Sequence, residues 1–315
     1  MEEKKMGLMK CLFVLFAGGV IFLLLLAIYP FWLLFAKVTN LIGVKGIRNT
    51  SGKLQTPVVF YEHSVTKRIV AFVAVIHIAE PAYYAAIQEL IDSLKGYKIL
   101  FEATGKLSPQ EEQALTQKEK DISSQFDFIF DLMKKINELM SLQYQKDGLT
   151  YSASWINTDM RLYDLIRAFA QQDISLIKKG RDIDDPFTEE FGQTVARWFI
   201  NKLFSRFIPV GVVLSVVAFF SRDKRVAKRL ILDARNEIAF QGINEYLKDS
   251  DIVTIWGAAH LSGIEKCLKK SGFREVRREW FTAYTVRDYS LFDAIKKGMR
   301  ATKEAASAAT ALKKD

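Results

Sequence analysis

Residues 11–36, CLFVLFAGGVIFLLLLAIYPFWLLFA, contain no charged side chain. A helix of that length spans the hydrocarbon core of a bilayer. One that is apolar on every face and sits at a chain end suits lipid better than a protein core. A cleaved signal peptide has a shorter apolar stretch followed by a small-x-small site. This one runs on through Pro30 and Trp32 and ends at Lys37. The expectation is an uncleaved N-terminal transmembrane anchor over residues 1–38, which places the protein at a membrane and makes lipid a partner. Lys4, Lys5 and Lys10 precede the span while Lys37, Lys45, Arg48 and Lys53 follow it, so charge bias does not orient it.

The net charge of +9 is compatible with nucleic acid, but the basic residues are dispersed and no zinc-finger, helix-turn-helix or RNA-binding aromatic motif occurs. No nucleic-acid partner is expected, and attraction to anionic lipid is the simpler account. The two cysteines are Cys11, inside the apolar run, and Cys267, so there is neither a disulfide framework nor a CxxC motif.

Beyond a polar connector over residues 39–56, a domain over residues 57–290 reads as α/β (α+β), a mixed β-sheet flanked by helices. PVVFYEHSVTKRIVAFVAVIH predicts two strands joined by a turn that carries His63. PAYYAAIQELIDSLKGY repeats apolar residues at three- and four-residue intervals between Pro81 and Gly96, which predicts a helix. YKILFEATG predicts a strand that runs into Glu102. From Ser108 to about Lys146 the pattern is helical, opening on SPQEE with a serine cap and acids in the first turn. More helix is expected from about Thr158 to Lys179 and again from near Phe187. Asp159 reads there as a helix N-terminal acid with no chemistry.

Residues 207–220, FIPVGVVLSVVAFF, are uncharged but short for a span, and suit a core, re-entrant or interfacial segment. A basic helix, a strand-to-helix stretch DIVTIWGAAHLSGIEKCLKKSGF and a strand EVRREWFTAYTV follow. Residues 291–315 read as a polar, alanine-rich tail.

Two of the three histidines occupy matching places. VAVIHIAEPAYYAAIQELIDSLKGYKILFE and VTIWGAAHLSGIEKCLKKSGFREV share the order apolar strand, histidine, short loop, amphipathic helix ending in Gly-aromatic, strand. Ligands of α/β sheets bind beyond the carboxyl ends of strands. Two such β-His-α units therefore present His77 and His260 to one crevice, with Glu102 available to join them. Imidazole and carboxylate are the donor set of a divalent transition metal such as manganese, cobalt, iron or zinc. Glu80, three residues after His77, is followed by a proline and belongs to a loop rather than to a shared helix face. No HExxH occurs, and Gly105 lacks the upstream glycine of a phosphate-binding loop.

These two units, the Glu after ILF, the ARNEIA helix and the GAAHLSGI turn together resemble the TraB, PrgY and GumN family, related to the Tiki membrane proteases. The resemblance runs from about Val58 to Val286. Its second Gly-x-x-His motif is complete in GAAHLSGIEKCLKKSGF, while the first aligns with Ala74-Val75-Ile76-His77, where alanine replaces glycine. The resemblance implies a metal-dependent peptidase site in which His77 and His260 bind the metal. It further implies Glu102 as a ligand or as the base acting on bound water, Arg235 steadying an oxyanion and Asn236 orienting a neighbour. A simple buried Glu102–Arg235 ion pair is the plainer reading. The competing function is a non-catalytic membrane protein that sequesters a hydrophobic peptide or signal, which alanine at position 74 favours. A membrane-remodelling or transport accessory is a third.

Overall fold

A computed structural model describes residues 46–50, 52–174, 226 and 228–286. The expected anchor over 1–38, the apolar segment 207–220, the helix near Phe187 and the tail 291–315 lie outside the described residues. Among the described residues, no helix is long and apolar enough to cross a membrane.

The sheet begins inside the stretch that reads as a polar connector. Strand β1 (Arg48–Thr50) and β2 (Lys53–His63) form a hairpin in which Thr50 pairs Lys53. Gly52, at φ 73°, turns the chain there. The polar residues of this segment hid it because burial alternates over its first four positions, with Leu54 and Thr56 buried and Lys53 and Gln55 not. β2 carries β9 (Phe273–Thr285) along one edge and β3 (Ile69–Val75) on the other, all antiparallel.

From β3 outward the sheet turns parallel, in the order β3, β8 (Ile252–Gly257), β5 (Lys98–Phe101), β7 (Ile156–Asn157). All six residues of β8 are buried, as a strand covered on both faces requires. The fold is thus α/β with a mixed sheet flanked by helices. Helix α1 (Pro81–Ser93) starts on the predicted proline and buries Tyr83, Tyr84, Ile87 and Ile91 on one face. Gly96, at φ 84°, then reverses the chain into β5.

The stretch that reads as helical from Ser108 holds three helices. Helix α2 (Pro109–Ala114) begins at a Ser108 capping box with Glu111, and α3 (Gln117–Met140) begins at a second box, Thr116 with Glu119. Ser141 ends α3 in the left-handed region at φ 53°. The chain then pairs β4 (Ile78–Ala79) with β6 (Gln143–Tyr144) before the short helix α4 (Gln145–Gly148). Helix α5 (Leu162–Gln171) starts four residues later than Thr158 and packs Leu165, Ile166 and Phe169 with Ile122 and Ile129 of α3 in a second core. A π-helical turn, Arg229–Asp233, runs into α6 (Ala234–Tyr246), and α7 (Leu261–Lys270) follows β8.

Candidate functional site

Four neighbouring parallel strands deliver their next residues to one end of the sheet. His77 lies two residues past β3, His260 three past β8, Glu102 directly past β5 and Asp159 two past β7. The carboxyl edge of a parallel sheet is where open α/β folds place their ligands. The first turn of α6 supplies Arg235 and Asn236, both buried.

Gly257 is the close point of this arrangement. A Cβ on it would lie 3.1 Å from Glu102 Oε2, 3.5 Å from His77 Nε2 and 3.6 Å from His260 Cδ2. Its φ of −51° is open to any residue, so space rather than backbone conformation requires the glycine. Its N–H donates to Glu102 Oε2 at 2.5 Å. Ala74 is not the structural mate of Gly257: the β3–β8 register sets Ala74 against Trp256 and Val75 against Gly257. The Ala74 methyl is buried in the core, and the residue's carbonyl accepts the Tyr83 hydroxyl at 3.1 Å.

Glu102 Oε1 accepts Arg235 Nη2 at 2.5 Å. The same Nη2 also joins Nε in a fork onto Asp159, with Nε to Oδ1 at 2.8 Å and Nη2 to Oδ2 at 2.7 Å, while Nη1 reaches the Ile231 carbonyl at 3.4 Å. Arg235 is therefore bound by two buried carboxylates, and Asp159, whose side chain is fully buried, caps no helix. The π turn ahead of α6 supplies the Ile231 carbonyl, and such widened turns recur at functional sites.

Burial by itself would raise the Glu102 carboxyl, but the Arg235 guanidinium, the two imidazoles and the Gly257 N–H outweigh it and hold the group at about 2. Burial raises Asp159 in spite of its bonds to Arg235, and the nearby Glu102 charge adds to the rise. Burial also lowers His260 to about 4, against the pull of Glu102. At neutral pH the site thus pairs an anionic Glu102 with a neutral His260 ring whose Nε2 stands 3.6 Å from Glu102 Oε1.

Each imidazole has its Nδ1 on a side-chain amide oxygen. His260 Nδ1 meets Asn236 Oδ1 at 2.8 Å, and His77 Nδ1 meets Gln145 Oε1 at 3.0 Å. An amide oxygen only accepts, so the ring proton sits on Nδ1 and the Nε2 lone pair is left facing the Glu102 side. Metal-binding histidines carry this kind of outer support. Trp256 packs edge-on against His260, with ring centroids 4.9 Å apart.

The donor chemistry fits a divalent transition ion. Ligand bonds of about 2 Å from a nitrogen and an oxygen in tetrahedral geometry separate the two atoms by about 3.4 Å, close to the 3.6 Å between His260 and Glu102. Each carboxylate oxygen also keeps a lone pair beyond the hydrogen bond it accepts. Among the described residues, however, no three His, Cys, Asp or Glu side chains stand together at ligand spacing.

His77, Glu102, Arg235, Asn236 and His260 thus come to one place. Glu80 turns away, its Oε1 accepting Thr285 N–H at 3.1 Å, and His63, expected in the turn, is the last residue of β2 and packs on Phe273. Sequence reasoning passed over Gln145 and Gly263 and read Asp159 as inert. Neither Asp159 nor Gln145 follows an apolar run that would have marked it.

No protein-family model matches the chain. No curated protein matches it either.

Proposed function

We propose that the chain is a metal-dependent hydrolase, a peptidase of the TraB and Tiki kind, held at a membrane by residues 1–38. The observation that carries this reading is the paired support of His77 and His260, whose amide partners leave both Nε2 lone pairs on the side of one buried carboxylate. His77, His260 and Glu102 would hold the ion. A bound manganese, cobalt, iron or zinc supplies Lewis acidity, polarising a carbonyl and lowering the pKa of water.

The remaining roles belong to the chain's own side chains. Glu102, held near 2, is a weak proton acceptor at neutral pH, so its part is charge and ligation rather than base catalysis. Arg235 keeps Glu102 anionic and aimed, and Asp159 keeps Arg235 in place. With Nε and Nη2 already engaged, Arg235 has little left to offer a developing oxyanion. Asn236 orients His260.

A second reading is supported by the engagement of both Glu102 oxygens and the open spacing of the set: a non-catalytic membrane protein that captures a hydrophobic peptide. One titration separates the two. Full-length protein stripped with chelator is titrated with cobalt(II), beside His77→Ala and His260→Ala. One equivalent bound by the parent and lost in both folded variants supports the metal centre and justifies a peptide-cleavage screen. A folded parent that binds no ion sinks it in favour of capture.

A further inference from the structure

His77 is gripped by a segment almost seventy residues away. Gln145 donates its backbone N–H to the His77 carbonyl at 2.9 Å, sets its side-chain Oε1 3.0 Å from His77 Nδ1, and donates Nε2 to the Tyr151 hydroxyl at 3.0 Å. Gln145 is buried while the ring it holds is exposed.

The segment is itself fastened on both flanks. Tyr144 pairs with Ile78 across β6 and β4. Gly148 lies against the Tyr84 ring, where a Cβ would approach within 2.4 Å, and the Tyr84 hydroxyl donates to the Ile76 carbonyl at 2.6 Å. The backbone on either side of His77 is thereby bonded, and Gln145 is the polar partner of the ring nitrogen that faces away from Gly257. Asn236 does the same for His260 from a different element. Two unrelated stretches of chain thus bring an amide oxygen to the same ring atom of two histidines.

That atom matters because a solvated neutral imidazole prefers its proton on Nε2. An exposed His77 left to solvent would turn an N–H, not a lone pair, toward the Gly257 and Glu102 side. We infer that Gln145 is the positioning residue of His77, holding the ring as the Nδ1–H tautomer with its Nε2 lone pair toward that side. The role in ion binding rests on the metal-centre reading, whereas the tautomer does not.

The third histidine provides an internal reference. His63 Nδ1 accepts the N–H groups of Val65 at 3.2 Å and Thr66 at 3.1 Å, so its proton lies on Nε2. The chain contains these three histidines and no others. Full-length, metal-free protein labelled with 15N on histidine, measured by long-range 1H–15N correlation at mildly alkaline pH, should show one Nε2–H ring and two Nδ1–H rings. His77→Ala identifies the His77 signals.

In Gln145→Leu the His77 ring should change to the Nε2–H form while His63 and His260 stay as they are. Gln145→Glu, which keeps an acceptor at that place, should retain Nδ1–H. Cobalt affinity should fall about 10- to 100-fold in the leucine variant and recover in the glutamate one. A parent His77 with its proton on Nε2, or an unchanged His77 in folded Gln145→Leu, overturns the assignment. Should the leucine variant fail to fold, the parent spectrum still decides. A tautomer change as expected with no cobalt bound by any form supports the role of Gln145 and removes the metal centre.

Discussion

Asp159 receives Arg235 in a two-bonded fork, at 2.8 and 2.7 Å, and the Nη2 of that fork also donates to Glu102. The link joins the ends of β5 and β7 to the start of α6, and none of the three side chains is more than one-tenth exposed. Removing one member strands charge in a place water does not reach. Arg235→Met should cost about 3–5 kcal/mol in denaturant unfolding. The double variant Arg235→Met with Glu102→Gln should cost less than the single one, since one orphan charge is then neutralised. Equal or additive losses would contradict a coupled triad.

The two Gly-x-x-His positions should differ in their effect on metal binding. Gly257→Ala places a methyl 3.1 Å from Glu102 Oε2 and should destabilise by about 1–3 kcal/mol while weakening cobalt binding. Ala74→Gly empties a buried methyl site in β3 and should cost about 1–2 kcal/mol with cobalt affinity unchanged. A gain of affinity in Ala74→Gly would mean that the alanine does narrow the site.

The two histidines should separate stability from function. His260 is buried against Trp256 and satisfies Asn236, so His260→Ala should cost roughly 2–4 kcal/mol. His77 is exposed, and His77→Ala should stay within about 1 kcal/mol of the parent. Both should abolish cobalt binding. Retention of full binding in the well-folded His77→Ala protein would exclude that ring as a ligand.

Gly263 matters through its neighbour. A Cβ there would fall 2.1 Å from Asn236 Nδ2, so Gly263→Ala should push the amide off His260. The expected result is an altered His260 tautomer together with a loss of about 1–3 kcal/mol. An unshifted His260 signal would show that Asn236 has room to adjust.

Acid should destabilise the metal-free protein in two overlapping stages. His260 titrates at about 4 when folded against 6.5 for the ordinary ring, so the unfolded chain gains a proton first and stability falls as pH drops from about 6.5 to about 4. Glu102, held at about 2 against 4.5, adds a further fall from about 4.5 to about 2. Asp159 is raised and works the other way in the acid range, which shrinks the net loss. Chemical denaturation across this range should show the early decline in the parent and lack it in Glu102→Gln/His260→Ala.

What the sequence makes legible is local. Pro81 and Gly96 bounded α1, Ser108 announced its capping box, and repeated strand-histidine patterns put His77 and His260 at strand ends. The polar-looking stretch before residue 57 concealed β1 and the start of β2, because strand pairing does not need an apolar residue at every position. The helical pattern from Ser108 was divided at Thr116 and Ser141, where a second capping box and a left-handed residue overrode the continuing periodicity.

The sequence alone determined which histidines and which acid would stand at strand ends, since an apolar run broken by a polar residue is a signal carried by neighbouring positions. Only the tertiary structure decided who their partners are. Gln145 for His77, Asn236 for His260 and Asp159 for Arg235 are separated by 68, 24 and 76 residues. A hydrogen bond across such distances is set by strand order and helix docking, and leaves no periodic trace in the chain.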